Sequence, residues 1–254
     1  MTDELQAEWR PTPKFILRLA CIEHATSDWV PGRFVEAGAG TGTLTGWFLD
    51  RGFTGVCYDI SPGTRAILRS NLADRRDVVE VVDDADDIGA ESFDYLFAFE
   101  VLEHIEHDLQ ALQKWSTWLR PRGRLLVSVP AHQRKYSRDD ARVGHVRRYE
   151  RDALATLLTQ AGYADITLLN CGFPLGNITR LIRRAIDGMT RRGTDDDRSY
   201  IARSVDSGVK SSEEVRRIAP IANERTLAPF IALQKHWFTR QLGDGWVATA
   251  TRTT

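Results

Sequence analysis

A glycine-rich segment near the start of the chain constrains the fold more strongly than any other feature. It follows the short run Arg33-Phe34-Val35 and reads Glu36-Ala37-Gly38-Ala39-Gly40-Thr41-Gly42. Apolar residues then recur at helical spacing, at Leu44, Trp47, Phe48 and Leu49. Because glycine has no Cβ, its backbone can turn tightly and approach a ligand closely. A helix N-terminus adds unpaired N–H groups and the positive end of a dipole. The segment therefore predicts a strand, a nucleotide-binding turn and a helix.

The spacing of the glycines does not fit the dinucleotide fingerprint G-x-G-x-x-G. The third glycine would fall at Thr43 if the pattern started at Gly38, and at Thr45 if it started at Gly40. The sequence instead contains E-x-G-x-G-x-G. This pattern resembles motif I of the class I methyltransferases that use S-adenosylmethionine (SAM).

Later segments resemble the same family in the same order. Val56-Cys57-Tyr58-Asp59 is typical of a second strand that ends in an acid, 17 residues after Gly42. A carboxylate at such a strand end can accept the two ribose hydroxyls of a nucleotide. Residues 78–82 have the pattern of a third strand and are followed by several acids. Among these, Asp84 with Ala85 best matches the family's adenine-binding position. Residues 93–99 and 119–130 predict the fourth and fifth strands.

The resemblance implies a Rossmann-like α/β fold and a SAM cofactor, with S-adenosylhomocysteine as its product. The fold would be a seven-stranded sheet in the order 3-2-1-4-5-7-6, with the last strand antiparallel and helices on both faces. Strands that alternate with helices along the chain agree with a mainly parallel sheet. The residues expected to contact the cofactor are Glu36, Ala37, Gly38, Gly40, Gly42, Asp59, Ile60, Asp84, Ala85 and Glu100.

The remaining patterns complete one domain over residues 1–254, a length that suits an α/β domain with one elaboration. Helical patterns cover residues 13–25, 62–73, 108–119 and 150–161, and strand patterns cover 164–170 and 245–250. An insertion, residues 173–244, separates the last two strands and is expected to contain helices near 181–186 and over 227–242. It is interpreted as a substrate lid, as a homodimerisation element, or as a solvated segment without a role in the chemistry.

Glu100, Glu103 and His104 follow the fourth strand with the spacing of one helical turn, which would place them on one face. Three interpretations remain open. Glu100 contacts the cofactor while His104 acts as a general base, since the unperturbed pKa of histidine lies near neutral pH. Alternatively, all three hold Mg²⁺ or Mn²⁺, with His132 or His145 as a further ligand. E-x-x-E-H resembles the metal motif of ubiquinone-biosynthesis O-methyltransferases and small-RNA 2′-O-methyltransferases. In the third interpretation the residues form only a solvated charged surface.

Residues 132–149 carry many cations but only two acids, Asp139 and Asp140. Residues 144–149 read G-H-V-R-R-Y and resemble a G-H-x-R-R-Y stretch in one branch, types 11–23, of the methyltransferase domains. Arginine offers a planar fork that matches carboxylate or phosphate. The residues expected to bind the acceptor are His132, Tyr136, Arg147, Arg148 and Tyr149. His145 is a second candidate base. The alternative is that Arg147 or Arg148 pairs with an internal acid such as Asp139 and fixes the loop.

These features favour an enzyme that transfers a methyl group from SAM to a small, anionic molecule, at the hydroxyl of an acidic natural-product, glycan or lipid-type acceptor. An RNA 2′-O-methyltransferase is one alternative. A formal net charge of −1 and the absence of an aromatic–basic module argue against nucleic acid. A SAM-binding protein without catalysis, or a partner subunit, is another alternative. The unpaired spacing of Cys21, Cys57 and Cys171, and the absence of a signal-peptide or membrane-span pattern, favour the cytoplasm.

Overall fold

The structure is a computed structural model that describes residues 11–180 and 223–253. Its seven strands are β1 (Arg33–Ala37), β2 (Thr54–Tyr58), β3 (Val79–Val81), β4 (Phe93–Phe99), β5 (Leu119–Pro130), β6 (Tyr163–Cys171) and β7 (Gly245–Arg252). They form one sheet in the order β3-β2-β1-β4-β5-β7-β6. Strands β1 to β5 are parallel, and β7 runs antiparallel to both β5 and β6. The predicted strand order and the direction of the last strand are confirmed.

Except for the short helix Arg138–Arg142, which the sequence patterns do not predict, the described helices lie near the segments where apolar residues recur at helical spacing. They are α1 (Pro13–Ala25), α2 (Thr43–Leu49), α3 (Pro62–Asn71), α4 (Asp108–Ser116), α5 (Arg138–Arg142), α6 (Arg151–Gln160) and α7 (Glu224–Lys235). Side-chain caps begin several of them: Thr12 accepts from the N–H of Phe15 at α1, Ser61 from the N–H of Thr64 at α3, and Asn223 from the N–H of Thr226 at α7. The helix predicted for 108–119 ends at Ser116, because Leu119 already pairs with Phe93 as the first residue of β5.

The sheet separates two apolar clusters, so helices cover both of its faces. Alternate residues of β4 point to opposite sides: Leu96 belongs to one cluster and Phe97 to the other. The first cluster includes Leu112 of α4 and Leu154 and Leu158 of α6. The second includes Ile22 of α1, Phe48 of α2 and Leu68 of α3. This layering leaves the carboxyl ends of β1, β2, β4 and β5 at one edge of the sheet, where an open α/β fold binds its ligand.

The insertion is described only at its two ends. Residues 175–180 are helical, and the helix predicted for 227–242 is α7. Because α7 ends at Lys235, Trp237 and Phe238 lie beyond it. The side-chain amide of Gln234 donates a hydrogen bond to the carbonyl of Leu17 at 2.9 Å, which fixes α7 against α1. The helix predicted near 181–186 lies outside the described residues, so the interpretation of the insertion stays a prediction.

None of the helices in the described part of the chain has the length and apolar character needed to cross a membrane. The three cysteines are all buried and free.

Candidate functional site

The glycine loop joins the carboxyl end of β1 to α2 in a conformation that needs glycine. Gly38, Gly40 and Gly42 have φ values of 72°, 57° and 82°, in the left-handed region that other residues rarely adopt. The N–H groups of Gly38 and Ala39 donate to the carbonyl of Tyr58 at 2.8 and 3.1 Å, which holds the loop against the end of β2. A Cβ on Gly40 would meet no atom within 4 Å. At Gly40 the loop therefore presents bare backbone to open space, as a nucleotide cradle requires.

Asp59 ties this loop to the end of β2. Its Oδ2 accepts from the N–H of Gly40 at 3.1 Å, and its Oδ1 accepts from the N–H of Ser61 at 3.0 Å. Burial raises the pKa of Asp59 above its ordinary value, although these two N–H donors oppose the change. Next to it, the side chain of Ile60 is 63% exposed. The Asp59 carboxylate, which can accept hydrogen bonds from hydroxyl groups, thus lies beside the exposed apolar side chain of Ile60.

Two other residues expected at the cofactor have different surroundings. Asp84 is exposed and caps a short 3-10 turn, Ala85–Asp87, by accepting from the N–H of Asp86 at 2.9 Å. Glu36 is buried beneath the glycine loop, where the hydroxyl of Thr45 donates to its Oε2 at 2.6 Å. Burial raises the pKa of Glu36 to about 8. In the described structure Glu36 supports the loop from below.

Glu100 differs from the prediction that it shares a helical turn with Glu103 and His104. It has a φ of 56° and precedes a 3-10 turn that covers only Leu102–His104. Its Oε2 lies 2.8 Å from Nζ of Lys14 and 3.0 Å from Nη1 of Arg18, both on α1. Burial alone would raise the pKa of Glu100, but the two cations hold it well below its usual range. The prediction that the three residues share one helical turn is wrong, because the left-handed residue turns the chain before the 3-10 turn begins.

Glu103, His104 and His145 nevertheless come together at this edge. One ligand atom from each lies within 4.8 Å of the other two. Nε2 of His145 lies 3.6 Å from Oε1 of Glu103, and the two imidazole centroids are 4.7 Å apart. The Glu103 side chain is fully buried, and within the described ranges neither of its carboxylate oxygens has a hydrogen-bond partner. Burial raises the pKa of Glu103 well above its usual value, and the nearby Glu100 adds to the effect.

Both imidazoles of this group are oriented through Nδ1. Nδ1 of His104 donates to the carbonyl of Gly144 at 3.0 Å, and Nδ1 of His145 donates to Oδ1 of Asp140 at 2.9 Å. A neutral imidazole that donates through Nδ1 keeps a lone pair on Nε2. Burial lowers the pKa of His104 to about 4, so its neutral form prevails near neutral pH. An orienting acceptor on the second nitrogen is typical of metal-binding and of proton-accepting histidines.

The arginines of the basic segment are paired internally. Nη1 of Arg147 donates to Oδ2 of Asp108 at 2.7 Å, and Nε of Arg148 donates to Oδ1 of Asp140 at 2.9 Å. Tyr149 is buried, and its hydroxyl donates to the same Asp108 carboxylate at 2.9 Å. In the described structure these three side chains fix the loop. The two arginines pair internally, but with Asp108 and Asp140, whereas Asp139 pairs with Arg142.

The two other residues expected to bind the acceptor also contact the protein itself. Nδ1 of the buried His132 donates to Oε2 of Glu150 at 3.2 Å. The hydroxyl of Tyr136 donates to the carbonyl of His145 at 2.8 Å and so supports the loop next to the histidine pair.

Sequence reasoning missed Lys14, Arg18 and Asp140 as parts of the site. Lys14 and Arg18 are four residues apart in a predicted helix, which indicates a shared face. Nothing in the sequence places that face against Glu100. Asp140 stands out only as one of two acids in a basic segment.

Comparison with known proteins identifies the family. A sequence profile of the methyltransferase domain matches residues 3–168. A search of curated protein sequences found no match. Because the profile covers more than half of the chain, the chain belongs to the methyltransferase domain family. It is a class I SAM-dependent methyltransferase with SAM as its cofactor, as the glycine loop and strand order predict. The narrower resemblance to one branch stays a prediction.

Solved structures show the same fold at low sequence identity. Haemonchus contortus phosphoethanolamine N-methyltransferase 2, in complex with SAM, is 15% identical, with a TM-score of 0.58 over 93% of this chain and 52% of that one. The chain thus spans about half the length of that enzyme. A Thermotoga maritima SAM-dependent methyltransferase, possible histamine N-methyltransferase, is 15% identical, with a TM-score of 0.56 over 95% and 92% of the two chains. An Archaeoglobus fulgidus SAM-dependent methyltransferase is 12% identical, with a TM-score of 0.55 over 92% and 93%.

Proposed function

We propose that this methyltransferase methylates a hydroxyl group of a small anionic molecule, and that Glu103, His104 and His145 activate that hydroxyl. The observation that carries the proposal is the buried Glu103 carboxylate, which has no hydrogen-bond partner in the described part of the chain and faces two imidazoles. A buried polar group without a partner costs free energy unless a ligand satisfies it. A ligand at this position would lie beyond the carboxyl end of β4, next to the glycine loop.

Proton removal is the reason for favouring oxygen. A hydroxyl is a weak nucleophile until a base takes its proton. The methyl group of SAM needs no such activation and only has to be held in line with the attacking oxygen. His104 and His145 each orient Nδ1 toward an acceptor, which leaves Nε2 as the proton-accepting atom. Both are therefore candidates for the general base, but burial lowers the pKa of His104 to about 4 and makes it a weaker base than an ordinary imidazole.

The same three residues fit a divalent cation, and they fit Mn²⁺ better than Mg²⁺, because Mg²⁺ strongly prefers oxygen ligands. The donor set is one carboxylate and two imidazoles whose ligand atoms lie within 4.8 Å. Acceptors on the Nδ1 atoms of both histidines supply the outer hydrogen bonds that metal-binding imidazoles usually have. A bound cation would lower the pKa of an acceptor hydroxyl. Glu100 is the weaker candidate ligand, because Lys14 and Arg18 already neutralise its carboxylate.

For the cofactor, we expect the glycine loop to bind the amino-acid portion of SAM. We expect Asp59 to accept hydrogen bonds from the ribose hydroxyls. The exposed Ile60, with Asp84 and Ala85, would flank the adenine. Glu36 and Ala37 would support the loop from within, because both are buried.

The proposal that the methyl acceptor is anionic rests on the basic segment, residues 132–149. Arg147 and Arg148 have internal partners, but the exposed Arg134 and Arg138 have no ion pair within the described ranges. Both lie on the segment that also carries His145. A carboxylate or phosphate on the acceptor would find favourable charge there.

Transfer of a labelled methyl group from SAM to a panel of hydroxylated acids tests the proposal, with the protein stripped by EDTA and then supplied with Mg²⁺ or Mn²⁺. Glu103→Gln is expected to lower the rate on the order of 100-fold. Glu106→Gln, which changes an exposed carboxylate three residues away, is the matched control and should behave as wild type. Activity that persists in EDTA would show that the reaction needs no metal ion and would leave a histidine as the general base. Unchanged activity of Glu103→Gln would contradict the role of the whole group.

A further inference from the structure

Three cations converge on one carboxylate beside the proposed acceptor site. Oδ1 of Asp244 lies 3.5 Å from Nζ of Lys135, 3.7 Å from Nη1 of Arg148 and 3.5 Å from Nε of Arg180. The side chains of Lys135 and Arg148 are only 7% and 8% exposed, and that of Arg180 is 21% exposed. We refer to Lys135, Arg148, Arg180 and Asp244 as the cation cluster.

The members of the cation cluster come from separate segments, and hydrogen bonds to the protein fix Lys135 and Asp244. Nζ of Lys135 donates to the carbonyl of Gly243 at 2.5 Å and to Oδ1 of Asn177 at 3.3 Å. Arg180 belongs to the helical residues 175–180. The Asp244 N–H donates to the carbonyl of Cys171 at 2.8 Å, and its carbonyl accepts from Ala131 at 2.9 Å. The cluster is therefore built where the insertion leaves β6 and returns to β7.

Positive charge exceeds negative charge in this cluster. All three of its cations face Asp244, and Arg148 alone also pairs with Asp140, which accepts from His145 as well. Within the described residues, neither Nε of Arg180 nor Oδ1 of Asp244 has a hydrogen-bond partner, although both atoms are buried. Burial lowers the pKa of Lys135 to about 8, and Arg180 and Arg148 act in the same direction while Asp244 opposes them. A buried excess of charge with an unused donor is the condition that an anionic ligand relieves.

The cation cluster is adjacent to the reacting groups. Arg148 and His145 share Oδ1 of Asp140, so one carboxylate links the cluster to the histidine pair. Asp244 also contributes, after Glu100, to raising the pKa of Lys14 against the effect of burial, and Lys14 contacts Glu100. An anion bound here could therefore belong to a molecule whose hydroxyl reaches Glu103 and His104.

We propose that Lys135, Arg148 and Arg180 bind a phosphate group of the methyl acceptor, so that the substrate is a hydroxyl compound bearing a phosphate monoester. This proposal rests on the proposed function, because it names the substrate class of that same site. A phosphate monoester carries about −1.5 to −2 charge near neutral pH and so offsets the excess positive charge of the cluster, and the unused Nε of Arg180 supplies a donor. A carboxylate carries one negative charge and would offset less of that excess.

Isothermal titration of the full chain with inorganic phosphate tests the phosphate site without SAM, metal or turnover. Wild type should bind phosphate, and Arg180→Gln should weaken that binding at least about tenfold, the scale of one lost charge-assisted hydrogen bond. Asp244→Asn should strengthen it, because the substitution removes the competing negative charge. Arg76→Gln is the matched control, since it changes an exposed arginine far along the chain from the cluster. Circular dichroism of each variant checks folding.

Three results would overturn the inference: no phosphate binding by wild type at millimolar concentration, equal phosphate affinity in wild type and Arg180→Gln, or equal binding of acetate and phosphate. Because the titration involves no methyl transfer, its failure leaves the proposed O-methylation standing. Conversely, if this protein binds phosphate but methylates no hydroxyl, the phosphate site would stand and the proposed function would fail.

Discussion

His145 donates a hydrogen bond from Nδ1 to Oδ1 of Asp140 at 2.9 Å, and Nη2 of Arg148 lies 2.8 Å from the same oxygen. Burial alone would raise the pKa of Asp140, but His145 and Arg148 hold it well below its usual range. The carboxylate is therefore ionised and acts only as an acceptor. It fixes the tautomer of His145 that carries its lone pair on Nε2, the nitrogen that faces Glu103.

We expect Asp140→Asn to lower methyl transfer about 10- to 100-fold, the usual effect of losing an orienting partner. An amide can present its NH₂ group to Nδ1, which favours the wrong tautomer of His145. The steady-state rate measured against pH should show the loss together with a displaced profile. Asp139→Asn is the matched control, because Asp139 pairs at the surface with Arg142. A rate loss without any change in the pH profile would indicate a merely structural role for Asp140.

Asp59→Asn is expected to weaken SAM binding at least about tenfold, since charged hydrogen-bond acceptors contribute about 1.5–3 kcal/mol each. The Asp59 carboxylate accepts hydrogen bonds from the N–H groups of Gly40 and Ser61. The same carboxylate would accept hydrogen bonds from the ribose hydroxyls of SAM. Equilibrium dialysis with labelled SAM measures the effect. Asp77→Asn, at an exposed position before β3, should bind SAM like wild type. Equal affinity in both variants would remove Asp59 from the ribose site.

Gly38→Ala and Gly46→Ala are expected to change stability in opposite directions. At Gly38 the φ of 72° disfavours alanine, and a Cβ would lie 2.5 Å from Cγ2 of Val101. The backbone effect alone costs about 1–2 kcal/mol of unfolding free energy, and SAM affinity should fall with it. Gly46 lies within α2, and a Cβ there meets nothing within 4 Å. That substitution should stabilise by roughly 0.5–1 kcal/mol. Urea unfolding gives both values, and destabilisation by Gly46→Ala would contradict the expectation.

The sequence predicts the sheet, the glycine loop and Asp59, because each depends on a local pattern. Strand order follows from the family resemblance, and the seven strands confirm it. The environment of Glu100 could not be predicted, since its partners Lys14 and Arg18 are more than 80 residues away. Spacing alone predicts a helical turn there, but Glu100 itself is left-handed and the 3-10 turn begins only at Leu102. The partners of Arg147 and Arg148 depend likewise on how a loop folds back on α4 and α5.

Glu36 should make the unfolding free energy fall as the pH rises. An acid in an ion pair has the opposite effect, because its folded-state pKa is lowered. Its pKa is about 8 in the folded chain, against an ordinary value of 4.5. Between these values the folded chain keeps a proton that the unfolded chain has lost. The unfolding free energy attributable to Glu36 therefore falls as pH rises through this window, by at most about 1.4 kcal/mol per pH unit. Below the window both states hold the proton, and the contribution is fully present.

Glu36→Gln tests this dependence, because the amide does not titrate and can still accept from the hydroxyl of Thr45. Urea unfolding at pH 5, 6, 7 and 8, about one pH unit apart, should give a shallower slope of free energy against pH than wild type. Some slope should remain, since burial and Glu100 also raise the pKa of Glu103 and give it the same sign. Glu80→Gln, at an exposed position of β3, should keep the wild-type slope. Identical slopes for Glu36→Gln and wild type would show that Glu36 is ionised in the folded protein, and would require a cation or a ligand donor beside it.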